Sequence, residues 1–275
     1  TDRNQNRIRA PGPPPSNASK AQQQSGPRPF AVKLASKCGA GLAVMPGGVT
    51  TRMGGVSRPP YDTLNLGDHV GDRADHVREN RDRVGGVIPG DAMNWLKQVH
   101  GARVVEATDG SAPEADGQWT RERHRPLALL TADCLPVVLA TEDARCVGIA
   151  HAGWRGLAAG VLESLVSAMP VRGASVVAWL GPAISAAAYE VGPEVKATFE
   201  NVLGEASSDC FTRSLQADGH WMADLALLAR LRLRRAGISV ILGGDRCTYG
   251  EPEHFFSHRR EGPATGRMAT IVWRS

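Results

Sequence analysis

Short apolar runs of strand length, each bounded by Gly, Pro or polar residues, recur along the chain: GLAVMP, RVVEAT, LALL, PVVLA, CVGIA, SVVAWL, ISVIL and ATIVW. Two longer stretches carry a helical period instead. In GLAAGVLESLVSAM, Leu157, Val161, Leu165 and Met169 recur at every fourth position and form one apolar stripe. In DLALLARLRLRRAG, Asp224 is placed to cap the helix N-terminus, Arg234 and Arg235 suit the negative end of its dipole, and Gly237 is a natural stop. Many strands with few helices predict an α+β fold. From Pro29 onward no break in composition and no internal repeat appears, so residues 29–275 are expected to form a single domain.

Two of these runs make a specific geometric prediction. PVVLA and CVGIA are separated only by the polar TEDAR, which is short enough for a hairpin turn. A turn centred between Glu142 and Asp143 sets Ala140 opposite Arg145 and Cys134 opposite His151, with Cys146 near Leu139. Residues directly opposed in an antiparallel pair share a face, with Cβ atoms roughly 4.5–5.5 Å apart. A cysteine and a histidine would then meet at the open end of the hairpin.

Composition changes this picture only at its edges. The 275 residues are 42% hydrophobic and 22% charged, enough apolar mass for a real core. The Pro-, Gln-, Ser- and Asn-rich residues 1–28 are expected to be a flexible tail, because such a segment buries too little surface to fold alone. A net charge of +4 with scattered arginines and 5% aromatics leaves no concentrated footprint for nucleic acid, though a basic surface suits anionic small molecules. No stretch is long and apolar enough for a membrane helix, and the start lacks the apolar core of an export signal. Five cysteines at irregular spacing, without CxxC, argue against a disulfide scaffold, and together these features suggest a cytoplasmic location.

Cys134 taken alone reads as a small buried hydrophobe, since free cysteine is among the most buried residue types. Its partnership with His151, and the neighbouring Asp133, which would need a partner if buried, tilt the reading toward chemistry. His100, at an expected turn in NWLKQVHGARVVEAT, is a third candidate. Two histidines and a cysteine match a catalytic zinc site, which keeps an open position beside three protein ligands. A Cys/His hydrolase needs only Cys134 and His151, the imidazole lowering the thiol pKa. Residue spacing leaves both open.

The motifs TTRMGGVS, YDTLNLGDHVGD, Asn80–Arg81, LKQVHG, TADCLPV, AHAGWRG, GPAISAAAYEVG and FFSHRREGPATGR, spread over residues 49–274, together resemble the YfiH-type family. Its members are often labelled multicopper polyphenol oxidase or laccase-domain proteins and are now treated as purine nucleoside phosphorylases. The resemblance implies an α/β/β/α layering of mixed sheets flanked by helices, and a zinc ion whose ligands match His100, Cys134 and His151. It implies cleavage of adenosine, inosine, guanosine and methylthioadenosine by inorganic phosphate, with adenosine deamination besides. A copper-dependent polyphenol oxidase and a Cys/His hydrolase that edits peptidoglycan precursors are the alternatives.

An anionic cosubstrate calls for cations or backbone donors. Arg52, Arg155, Arg259 and Arg260 are the candidates, each with an ion-pair reading beside it. His69 in LGDHVGD is the candidate general acid, and Asn65 and Gln98 are candidates for binding base or ribose. Gly54, Gly55, Gly153 and Gly156 lack P-loop or Rossmann spacing and are expected to serve tight backbone geometry.

Overall fold

The computed structural model describes residues 46–90, 92–108, 112–170 and 175–275. The expected tail, the domain start at Pro29 and most of the GLAVMP run lie outside the described residues.

In chain order the elements are β1 (Gly47–Val49), α1 (Ala74–Gly85), β2 (Val104–Glu106), β3 (Gly117–Thr120), β4 (Leu127–Thr131), β5 (Leu135–Thr141) and β6 (Val147–Ala152). They continue with α2 (Trp154–Ala159), α3 (Val161–Ala168), β7 (Val176–Leu180), β8 (Glu190–Val191), α4 (Pro193–Leu203), a 3-10 helix (Gly204–Cys210), β9 (Phe211–Arg213) and β10 (Trp221–Ala223). The last are α5 (Leu225–Arg235), β11 (Val240–Gly243), α6 (His258–Glu261) and β12 (Met268–Val272). The fold is α+β, with mixed sheets flanked by helices.

Period-2 patterning explains the layers. A six-stranded sheet in the order β11-β7-β5-β6-β3-β2 presents Leu135, Val137, Leu139, Ala150 and Ala152 on one face, where they pack against residues of α2, α3, α4 and α5. Its other face carries Val138, Ala140, Val147 and Ile149 and meets Leu127, Leu129, Met268 and Val272 of a three-stranded antiparallel sheet, β1-β12-β4. The far side of that small sheet, through Ala128, Leu130, Ala269 and Ile271, packs on Val84 of α1. The layers are therefore helix, sheet, sheet, helices. Between β4 and β5 the chain crosses from the small sheet to the large one in three residues, Ala132, Asp133 and Cys134, and Asp133 takes a left-handed φ of 94° to make the bend.

The expected hairpin forms, but with a different register. Pro136 opposes His151 and Ala140 opposes Val147, so Cys134 is not directly opposite His151. Likewise Arg145 does not pair with Ala140, and Leu139 pairs with Gly148 rather than near Cys146. The cause is the turn, which runs one residue further than TEDAR suggests. Ala144 adopts φ 56°, and the Thr141 and Cys146 backbones still hydrogen-bond. The displacement is two residues, a full side-chain period, so Cys134 keeps the face of Pro136 and becomes a diagonal neighbour of His151.

The long helical stretch is also modified. Gly160, at φ 87°, divides it into α2 and α3, while Leu157, Val161, Leu165 and Met169 all remain buried along one stripe. In α5 the Asp224 carboxylate accepts the Leu227 N–H, as its capping position predicts.

Candidate metal centre

The ligand atoms of His100, Cys134 and His151 lie within 4.8 Å of one another. Each arrives from a different piece of backbone. His151 projects from β6 on the inter-sheet face at the end of that apolar layer, and Cys134 comes from the crossover between sheets. His100 stands in the loop before β2 with φ 61°. The two imidazole rings meet edge to face, 4.8 Å between centroids and 76° between planes.

One buried carboxylate organises both histidines. Asp116, just before β3, accepts His151 Nδ1 at 2.8 Å and the backbone N–H groups of Val99, His100 and Gly101 at 3.1, 2.9 and 2.7 Å. Its own carbonyl accepts the His151 N–H at 2.7 Å. The strained His100 loop and the His151 ring therefore share an anchor. With Nδ1 held by a carboxylate, Nε2 is the nitrogen left to coordinate, the arrangement by which outer-shell groups fix the orientation of metal-ligating histidines. Two imidazoles and a thiol suit zinc, and copper also accepts such donors.

Cys134 is steered in the same way. Asp133 Oδ1 accepts the Thr248 hydroxyl at 2.6 Å and Oδ2 accepts the Arg259 N–H at 2.7 Å, while its carbonyl accepts the Ile184 N–H. These bonds supply the partners that a buried carboxylate requires. They also tie the cysteine turn to the C-terminal segment. Gly153 completes the fit, because a Cβ there would stand 2.9 Å from Cys134 Sγ and 3.5 Å from His100 Cδ2. Gly153→Ala is expected to keep the fold but lower metal affinity about tenfold or more, by pushing the thiolate out of place. Chelator competition with wild type measures it, and equal affinities would show that the site can yield.

Burial alone would push the Cys134 thiol up, but His151 and His100 outweigh it and hold its pKa at about 6. Burial would likewise lower His151, yet Cys134 and Asp116 raise it to about 9. In metal-free protein a thiolate–imidazolium pair thus exists between these values. Its contribution to stability is lost as pH falls through about 6, where the depressed thiol is protonated, and as pH rises through about 9, where the raised imidazole is deprotonated. The ultraviolet thiolate signal of chelator-treated protein, wild type minus Cys134→Ala, should titrate near pH 6. A midpoint at the ordinary thiol value would contradict the pair. Metal binding at neutral pH should release a proton from His151, visible by calorimetry in buffers of different ionisation enthalpy.

The other sequence candidates separate into two groups. Asn65 is fully buried, its Oδ1 accepting the N–H groups of Gly67 and Arg267 and its Nδ2 donating to Gly67 O and Asp72. Gln98 pairs both amide ends with the Leu130 backbone, at 2.8 Å each. Arg52 donates to Glu261 and to the Asp62 and Pro252 carbonyls, and lies over the Phe256 ring. Arg260 donates to Glu261 and to the carbonyls of Thr248, Tyr249 and Phe255. These four side chains are committed to holding loops in place, the structural alternative to substrate contact.

His69, Arg155 and Arg259 are more open. His69 is exposed, 3.5 Å from Asp68, and burial and Arg267 lower its pKa against that partner. Arg155 is exposed and rests on Trp154, and Arg259 lies over Tyr189 while donating to Glu190 O. Tyr189, whose phenol pKa is raised by burial and by Cys134, lies within electrostatic reach of the site and was missed by sequence reasoning. So was Asp116, whose only signal is an acidic residue directly before a strand. Among the described residues, Cys134, Cys146, Cys210 and Cys247 are unpaired thiols, and no helix is long and apolar enough to cross a membrane.

Residues 46–275 match the family model described as multi-copper polyphenol oxidoreductase laccase. The chain belongs to this family. It is 47% identical over 228 residues to the purine nucleoside phosphorylase YfiH of Escherichia coli (strain K12), covering 82% of this chain and 91% of that protein. A purine nucleoside phosphorylase of Pseudomonas aeruginosa is 45% identical over 225 residues, with the same two coverages. Among solved structures, a Neisseria meningitidis protein superimposes with a TM-score of 0.81 at 41% identity, covering 89% of this chain and 99% of its own. YfiH of Bacillus licheniformis gives 0.79 at 33% identity, covering 84% and 93%. Family members of this kind thus share both the fold and most of the length.

Proposed function

We propose that this chain is a zinc-dependent purine nucleoside phosphorylase that cleaves adenosine, inosine, guanosine and methylthioadenosine with phosphate and also deaminates adenosine. The observation that carries this reading is the convergence of His100, Cys134 and His151 around an Asp116-oriented ring, in a chain nearly half identical to proteins named purine nucleoside phosphorylase. His100, Cys134 and His151 would hold the ion. When bound, zinc supplies Lewis acidity and lowers the pKa of a coordinated water, the chemistry that hydrolytic deamination requires.

The chain's own groups have separate tasks. Asp116 keeps His151 in one tautomer and keeps the His100 loop in register. His69 is the proton donor to the departing purine; burial and Arg267 lower its pKa, so the protonated form and the rate it supports are favoured on the acidic side of neutrality. Arg155 and Arg259, whose guanidinium groups meet aromatic rings rather than carboxylates, face the anionic end of the reaction. Tyr189 and Trp154 wall the nucleoside.

The test is metal analysis of the purified protein together with inosine turnover, with and without phosphate. Stoichiometric zinc and phosphate-dependent release of hypoxanthine are expected. Zinc-free protein without phosphorolysis would overturn the proposal. The depressed Cys134 thiol beside His151 favours one second reading, a Cys/His hydrolase acting on peptidoglycan precursors. Activity that vanishes in Cys134→Ala although wild type holds no metal would support it. Copper with oxygen consumption on phenols would instead indicate an oxidase.

A further inference from the structure

Arg267 differs from the arginines that hold the loops. Arg52 and Arg260 each donate to Glu261, and Arg232 donates to Glu163. Arg267 is partly buried, yet among the described residues no carboxylate lies within ion-pair distance of it. Its Nη1 donates to the carbonyls of Thr265 and Gly266 at 2.8 and 3.0 Å, and no described partner meets Nε or Nη2. Neither nitrogen is sealed in the interior without a partner, so both are open to a ligand that can accept hydrogen bonds and supply negative charge.

The surroundings fix its position. The backbone N–H of Arg267 is fixed to Asn65 Oδ1 at 2.9 Å. The side chain then passes directly over Gly67, where a Cβ would stand 2.7 Å from Arg267 Cγ and 3.2 Å from its Cβ. Any larger residue at Gly67 would push Arg267 aside. Both contacts come from the segment that also carries His69, and that histidine and Cys134 both lie within electrostatic reach of the guanidinium. Burial lowers the pKa of Arg267, and Cys134, Asp133 and Tyr61 work against that effect. Asp133 acts on the guanidinium only through space, since no hydrogen bond or ion pair joins the two and its oxygens accept from Thr248 and the Arg259 N–H.

We propose that Arg267, seated in the gap left by Gly67 and fixed through its backbone to Asn65, binds the inorganic phosphate that attacks the nucleoside. The substrate anion is the counter-ion that the fold withholds. This inference rests on the phosphorolysis reading, and it moves the principal phosphate contact from the sequence candidates to a residue that reasoning from sequence had not singled out. Arg155 and Arg259 are then secondary contacts at the same anionic end.

Two variants of the metal-loaded protein test it, Arg267→Met and Gly67→Ala. The second keeps the charge but displaces it. In Arg267→Met, KM for phosphate at saturating inosine should rise roughly ten- to hundredfold, the cost of a lost hydrogen bond to a charged group. KM for inosine and the metal content should stay near wild type. Gly67→Ala should raise phosphate KM in the same direction, and Arg267→Lys should recover part of the loss. An unchanged phosphate KM in Arg267→Met and Gly67→Ala with normal metal content would overturn the assignment. Calorimetric titration of each protein with phosphate alone separates the two ideas. Wild type that binds phosphate through Arg267 without phosphorolysis refutes the activity and keeps the subsite. Phosphate binding that is absent from wild type, or equal in the Arg267→Met variant, refutes the subsite.

Discussion

Cys134→Ala will leave the protein folded and without its metal. Removing a ligand should cost more than the roughly 10–100-fold in affinity that outer-shell changes cost. Dialysed variant should therefore hold metal far below stoichiometry, with phosphorolysis at background. The fold should survive, since Cys134 lies at the crossover between the sheets and outside all three apolar clusters. Circular dichroism and metal analysis on one preparation provide the check. A variant that keeps full metal would remove Cys134 from the ligand set, and one that keeps activity without metal would remove the metal from the reaction.

The second large effect belongs to Asp116. Alanine there would strip four hydrogen bonds from a fully buried site and leave three backbone donors and a histidine without their acceptor. Breaking a buried pair by removing one partner costs about 3–5 kcal/mol. Urea unfolding should show a loss of that order, a large fraction of the total stability of a domain. Asp116→Asn keeps the volume and should cost less stability, but its amide cannot accept at every position and does not carry the charge that orients His151. Its metal affinity should fall about 10–100-fold. Wild-type affinity in the asparagine variant would mean that the β6 ladder alone orients the ring.

These two residues show how unevenly the site could be read from sequence. Cys134 and His151 were legible because strand periodicity is strict. A turn one residue longer than expected moved the pairing by a full period and left both side chains on the same face, so the conclusion survived an incorrect register. A slip of one residue would have separated them. Asp116 was not legible, because its partners are backbone groups of a loop distant in sequence, and such contacts leave no periodic trace. α1 escaped for a related reason. Its buried positions are Val77, Asn80 and Val84, and Asn80, whose amide bonds to Ser57 and the backbones of Thr63 and Asn65, interrupts the apolar stripe. β3 is fully buried but contains Gln118 and Thr120, so it lacks the apolar run that marks its neighbours. Asn65 and Gln98 show the converse. Polar residues beside motif histidines invite a substrate role, and here the amide of Gln98 meets the Leu130 backbone while that of Asn65 meets backbone groups and the Asp72 carboxylate.

The three-residue crossover from β4 to β5 has one more consequence. His151 belongs to the large sheet, while Cys134 is tethered within three residues to the last position of the small one. The distance between the two ligands is therefore a gauge of how one sheet sits on the other. A change in the shared layer, such as Ile149→Val, need not touch the site to shift that seating. A spectroscopically active ion in the three-ligand cluster would report it as a change in ligand field, turning the metal into a strain sensor for the sandwich as a whole.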